Sequence, residues 1–360
     1  MKPSLTTFHG SSGQVKQRFP CVWQVGWIIL LVILTGCVSL PHPDGPLAIW
    51  PAPPQKARIV LRKIVRQQDD IAVHRGFAGL GRLIFGRHAQ RLLRPQGVAV
   101  DSGGRLIVAD QELQGVHVFD TRSSRSLFIA RADSTYLVSP VGVAACGAFI
   151  AVSDSALNHV YLFDHRGRYI RTIDKPEGFM RPTGLAYDEN ANVLYVVDTL
   201  ANEVCAFRLT GELLRRFGEP GTGNGQFNYP TQAAVDADGT IYITDSMNFR
   251  VQVFDRDGGY LFQLGRLGDA SGYLAVPKGV AVDHFGHIYI VDSYLSSVQV
   301  FNHEGAFLIG FGDVGDQPGQ FQVPTGLAID ADNRIYVCDS HNRRIQVFQY
   351  VGGPNDDENE

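Results

Sequence analysis

Apolar and β-branched residues fall into short runs along most of this chain, and the runs come in sets of four. The clearest set opens at Pro230-Thr-Gln-Ala-Ala-Val-Asp236, crosses a turn at Ala237-Asp238-Gly239 and resumes as Ile241-Tyr-Ile-Thr-Asp245. A Ser-x-Asn turn leads into Val251-Gln-Val-Phe254, and a Gly-containing turn into a last run ending near Gly265. Short runs of β-branched and aromatic residues between turn residues are strand signatures. The same opening recurs at Pro95-Gln-Gly-Val-Ala-Val-Asp101, Pro140-Val-Gly-Val-Ala-Ala145, Pro182-Thr-Gly-Leu-Ala-Tyr-Asp188, Pro277-Lys-Gly-Val-Ala-Val-Asp283 and Pro324-Thr-Gly-Leu-Ala-Ile-Asp330. The six prolines are 45, 42, 48, 47 and 47 residues apart. One such unit cannot bury its faces alone, so the units must stack. The pattern predicts an all-β, six-bladed β-propeller of four-stranded antiparallel blades. Closure of the ring leaves no long strand edge open.

These residues resemble the NHL repeat family over residues 95–348. The best matches to its Asp-Ser-x-Asn-x-Arg-[Ile/Val]-Gln-Val-Phe core are Asp245–Phe254 and Asp339–Phe348. Blades one and two depart from it, since Asp110-Gln-Glu-Leu lacks the Ser and Asn, and Ala145-Cys146 replaces the usual acidic turn. The sixth copy stops after its third strand at Phe348. Residues 57–65 (Ala-Arg-Ile-Val-Leu-Arg-Lys-Ile-Val) have the composition of a strand and are predicted to complete blade six, as the family commonly does. Arg82–Gly86 competes for that role, because other blades end in Phe-Gly. Between repeat one and residues 57–65, Phe77, Leu80, Leu83 and Ile84 recur at helical spacing and predict a short amphipathic helix. Ten Lys or Arg in residues 56–94, against Asp69 and Asp70, make that region basic. Such a face suits anionic lipid headgroups or simple solvation over the end of the barrel.

The N-terminus follows a different pattern. An apolar run at residues 25–34 trails a segment with Lys2, Lys16 and Arg18 and no acid, the arrangement of a secretory signal. It ends in Leu34-Thr35-Gly36-Cys37, which resembles the bacterial lipobox. That resemblance implies cleavage before Cys37, a diacylglycerol on its sulfur and a place in the bacterial cell envelope. Val38 in place of Asp favours the outer membrane. An uncleaved membrane helix over residues 22–40 is the alternative. Domain organisation is therefore expected as a signal at 1–36, a Pro-rich tether at 37–56 kept out of any sheet, a closing strand and basic helix at 57–94, the propeller at 95–350, and a disordered acidic tail at 351–360.

Formal net charge is −4, and −7 once the first 36 residues are removed. Binding along a phosphate backbone needs an excess of Lys and Arg, so no nucleic-acid partner is expected. Cys146, Cys205 and Cys338 occupy no equivalent positions and form no CxxC pair, which argues against a disulfide framework or zinc site.

In an antiparallel blade, the start of strand one and the turn between strands two and three lie at one end. That loop face is where ligand binding is expected. Its candidate residues are Gln96, Thr183, Thr231, Lys278 and Thr325 at the strand starts, and His159, Asn202, Arg250, Tyr294, His341 and Arg343 in the turns. The recurrent acids Asp110, Asp154, Asp198, Asp245, Asp292 and Asp339 invite a metal reading. Their presence in every unit instead points to turn capping. Resemblance to NHL-like lyases with zinc-binding histidines, and to lactonases with a calcium site, implies a metal-dependent lyase or hydrolase as an alternative. His159 and His341 alone do not supply the ligands such a site needs. No catalytic set and no cofactor is predicted. The expectation is a non-catalytic binding or scaffolding module for a protein, peptide or glycan, tethered to a membrane through Cys37.

Overall fold

The computed structural model describes residues 46–71, 90–123 and 125–352. Its four- and five-stranded sheets are six blades around an axis. Blade 1 comprises Pro95–Val100, Arg105–Asp110, Gly115–Asp120 and Ser126–Ile129, and blades 2 to 5 repeat that antiparallel order. The innermost strands, Pro95–Val100, Pro140–Cys146, Pro182–Asp188, Pro230–Val235, Pro277–Val282 and Pro324–Ile329, neighbour one another in sequence order, and the last returns to the first.

Blade 6 is completed from the other end of the chain. Ile59–Val65 pairs antiparallel with Arg344–Tyr350, with Val60 opposite Gln349 and Leu61 opposite Phe348. The expected closing strand is thus in place, while Arg82–Gly86 and the helix expected over Phe77–Ile84 lie outside the described residues. One expectation needs correction. Ala48–Trp50, assigned by its neighbouring prolines to a tether outside the sheet, pairs with Ile59–Leu61 and gives blade 6 a fifth strand. The prolines flank this tripeptide rather than interrupt it, and an edge strand needs few ladder donors. Trp50 anchors it, with ring centroids 5.8 Å from Phe311 and 5.7 Å from Phe348.

Apolar side chains pack between blades. Six clusters fill the six junctions, such as Ile107, Val118, Ile150 and Phe163 between blades 1 and 2. The junction of blades 5 and 6 includes Ile59, Leu61, Phe311 and Phe348, so the core there depends on the N-terminal strand. The five Pro-x-Gly glycines explain themselves at this level. A Cβ on Gly97 would stand 2.3 Å from the Val141 carbonyl oxygen, and one on Gly142 2.0 Å from that of Thr183. Only glycine lets neighbouring inner strands approach so closely. Cys146, Cys205 and Cys338 are buried and unpaired. No helix among the described residues is long and apolar enough to cross a membrane.

Candidate functional site

The strand register brings each recurrent acid opposite the proline that opens its blade. Pro95 faces Asp110, Pro140 faces Asp154, and the remaining four blades repeat the pairing. All six carboxylates are fully buried. Each accepts backbone N–H groups from the segment leading into the inner strand. Asp110 takes Leu93 at 2.7 Å and Arg94 at 3.0 Å; Asp292 takes Ala275 at 2.7 Å and also Tyr294 and Leu295 of its own turn at 3.0 Å. The acids are therefore latches that hold each inter-blade connection to its turn.

A polar residue next to the acid in sequence fastens one blade to the next. Thr199 Oγ1 donates to the Pro230 carbonyl at 2.7 Å, Ser246 Oγ to that of Pro277 at 2.6 Å, and Ser293 Oγ to that of Pro324. Ser153 Oγ reaches the Thr183 carbonyl, Gln111 Nε2 reaches Ser139 Oγ, and Gln96 Nε2 reaches Ser340 Oγ. Every junction of the ring carries such a bond.

Several residues expected to contact a ligand belong to this hoop. Thr183 bonds Thr199 Oγ1 at 2.7 Å, Thr231 bonds Ser246 Oγ at 2.8 Å, and Thr325 donates to the Gln96 carbonyl at 3.1 Å. Asn202 Oδ1 accepts from the Tyr229 N–H at 2.9 Å, and half-exposed His159 pairs with Asp174 at 3.0 Å. Arg250 is a correction. Expected on the exposed face, it is buried, with Nε 2.8 Å from Asp245 and its other nitrogens on Gln263 and on the Gly223 and Gln226 carbonyls. The buried acid draws it inward, as Asp339 does Arg344 at 2.6 Å. Tyr294, His341 and Arg343 are exposed as expected.

Seven residues after the acid, blades 4, 5 and 6 carry Gln252, Gln299 and Gln346, whereas blade 1 carries His117. Its ring is buried, 3.9 Å from Asp110. Burial pushes its pKa down to about 4, against the opposing pull of Asp110. The folded state holds it neutral while the unfolded chain takes up a proton near the ordinary 6.5. Stability is therefore expected to fall as pH drops from about 6.5 to about 4, by up to about 3 kcal/mol. Urea midpoints at pH 7 and pH 4.5 test this, with His117→Leu expected to lose that component.

Against this regular frame, one stretch of the mouth departs from the repeat. Blade 4 has Gln232 where the other five blades have glycine. Its carboxamide lies against Gly184 of blade 3. Beside it, Arg181 of blade 3 donates through Nη1 to the Tyr229 hydroxyl at 2.6 Å, its guanidinium 5.7 Å from that ring's centroid. From the other side comes Lys278 of blade 5, whose carbonyl is tied to Thr231 at 3.4 Å. Burial pushes the Lys278 ammonium below its ordinary value, and Arg181 adds to the push, against the pull of Asp292. Lys278 was among the residues expected here from sequence. Arg181, Tyr229 and Gln232 were not, although the break in Pro-x-Gly at Gln232 is a visible signal. Outside the mouth, Leu200, Met247 and Tyr294 stand exposed two residues after the acids of blades 3, 4 and 5.

Residues 92–119 and 321–348 match the NHL repeat, and residues 137–263 match the SMP-30/Gluconolactonase/LRE-like region. No curated protein matches the chain. Among solved structures, a virginiamycin B lyase from Staphylococcus aureus is 11% identical with a TM-score of 0.56, the match covering 81% of this chain and 100% of that one. A gluconolactonase from Xanthomonas campestris is 15% identical with a TM-score of 0.56, covering 86% and 99%. A protein of unknown function from Bacteroides thetaiotaomicron is 17% identical with a TM-score of 0.58, covering 72% and 70%. At these identities the likeness is one of fold.

A metal at the mouth does not fit the donors present. Among the described residues no three His, Cys, Asp or Glu side chains gather as a metal would require. The six acids that ring the mouth have their oxygens on backbone N–H groups and structural side chains. The chain is a six-bladed β-propeller in which two segments match the NHL repeat and residues 137–263, across blades 2 to 4, match the SMP-30/gluconolactonase-like family model.

Proposed function

We propose that this propeller is a non-catalytic binding module, held on the bacterial envelope by a lipid on Cys37, that recognises a protein, peptide or glycan with its loop face. The observation that carries the reading is the division of labour on that face. Its recurrent polar groups hold the ring together, while Leu200, Met247 and Tyr294 stand exposed on three successive turns. Exposed apolar side chains grouped at one face are what a docking surface presents. The sequence Leu34-Thr35-Gly36-Cys37 supports the anchor, and Val38 supports the outer membrane.

A peptide and glycan array probed with the soluble domain tests the binding role. Wild type is expected to give a reproducible set of binders that the Met247→Asp/Tyr294→Asp variant loses while keeping its melting temperature. An unchanged set in the variant argues against this face. Retention of the full-length protein in membranes, lost on Cys37→Ala, tests the anchor. The alternative, a lyase or hydrolase working at the central channel, is supported by the gluconolactonase-like match over residues 137–263. Turnover of lactone substrates, abolished by a chelator and restored by a divalent metal, would favour it.

A further inference from the structure

The ring repeats its polar frame at every blade, so a ligand-specific feature has to appear where the repeat breaks. It breaks at the start of blade 4. Arg181 arrives there from blade 3 and Lys278 from blade 5, on either side of Tyr229, Thr231 and Gln232. Neither cation has a carboxylate within ion-pair distance among the described residues. Elsewhere the acidic neighbourhood of a buried cation is answered directly. Lys175 sits 2.8 Å from Asp198 and 2.6 Å from Glu203, and Arg250 and Arg344 bind the acids of their own blades. The acid nearest in the frame to Lys278, Asp292, is fully buried and already holds the N–H groups of Ala275, Val276, Tyr294 and Leu295. The Gln232 carboxamide lies against Gly184 and makes no hydrogen bond within the described residues, so an amide donor remains available at the start of blade 4.

We propose that the start of blade 4 is an oxyanion subsite, in which Lys278 and Arg181 grip a carboxylate or phosphate of the ligand and Gln232 hydrogen-bonds it. Two cations that flank the start of one inner strand with no carboxylate in ion-pair reach among the described residues are stabilised by an anion between them. Arg181 suits a two-oxygen group through its planar fork, and Lys278 adds a point charge. The exposed Met247 and Tyr294 continue outward from the subsite on blades 4 and 5, which fits an anion attached to an apolar body. The inference rests on the reading of this face as a binding surface and names the chemistry it selects.

Calorimetric titration of the folded domain with octanoate, octyl phosphate and neutral octyl glucoside tests it. Saturable binding of at least one anionic probe is expected, with the neutral probe much weaker. The preferred anion tells carboxylate from phosphate. Lys278→Met and Arg181→Met are each expected to weaken binding about tenfold or more, and Lys278→Arg to retain most of it. Circular dichroism of the variants checks that the ring is intact, and ¹³C-methyl NMR of reductively methylated protein reads Lys278 directly. Its titration is expected to move to higher pH when the anion binds, which a structural role would not produce. Equal binding of octyl glucoside, unaffected by Lys278→Met, overturns the anion subsite while leaving a binding face in place. Failure of both anionic probes to bind wild type overturns it as well, and the array result then stands or falls separately.

Discussion

Asp339→Ala is expected to destabilise the protein by about 3–5 kcal/mol, the usual cost of leaving a buried charge without its partner. Asp339 is fully buried and binds the Gln322 N–H at 2.8 Å, Asn342 Nδ2 at 2.9 Å and Arg344 Nε at 2.6 Å. Alanine removes the acceptor for all three and strands the Arg344 guanidinium, itself almost completely buried. Arg344 keeps only the Asp316, Gln317 and Gln320 carbonyls. Adding Arg344→Met to the same chain is expected to recover part of the loss, because the orphaned charge then disappears. Chemical denaturation of the two single variants and the double one gives the coupling. Additive losses would show that the two side chains do not act as a pair. Asp110→Ala, in a blade whose acid has no arginine, is expected to cost less, about 1–3 kcal/mol for the stranded amides.

Removing residues 46–65 is expected to abolish cooperative folding. Ile59, Val60, Leu61 and Val65 are all buried, and at about 1.5–3 kcal/mol each their loss is comparable with the whole stability of an ordinary domain. The deletion also uncovers the edge of Arg344–Tyr350 and the apolar junction behind it, an invitation to aggregation. Near-ultraviolet circular dichroism and a thermal scan of the shortened chain check this. A sharp transition close to that of the intact protein would mean that the strand is an accessory. Leu61→Ala, a milder change, is expected to cost about 2–5 kcal/mol.

The fold was legible because a propeller writes the same physics six times. Each Pro-x-Gly start, each alternating run and each Asp turn recurs, so one weak signal becomes six consistent ones. The closing strand was legible from the missing fourth strand after Phe348 together with the β-branched composition of residues 57–65. Ala48–Trp50 escaped because three residues between prolines carry no periodicity, and what holds them is Trp50 packing against side chains some 260–300 residues away. Arg250 looked like a surface charge because its motif sits in a turn. Only the folded register shows that a buried carboxylate lies within reach of its guanidinium. The mouth was the least legible part. Arg181 and Lys278 are 97 residues apart, and nothing local to either predicts that both flank the start of blade 4.

Every feature of the loop face depends on a ring closed by the two ends of the described chain, and a cross-link between those ends tests that directly. Val60 and Gln349 are directly opposed across the antiparallel pair, where Cα separations of about 4.5–5.5 Å suit a disulfide. The Val60→Cys/Gln349→Cys protein, oxidised while folded, is expected to form an intramolecular disulfide, read by mass spectrometry of peptides joining the two segments. Its melting temperature is expected to rise, since the bond closes a very long loop. Two free thiols at these positions in the folded, oxidised protein would contradict the closed ring.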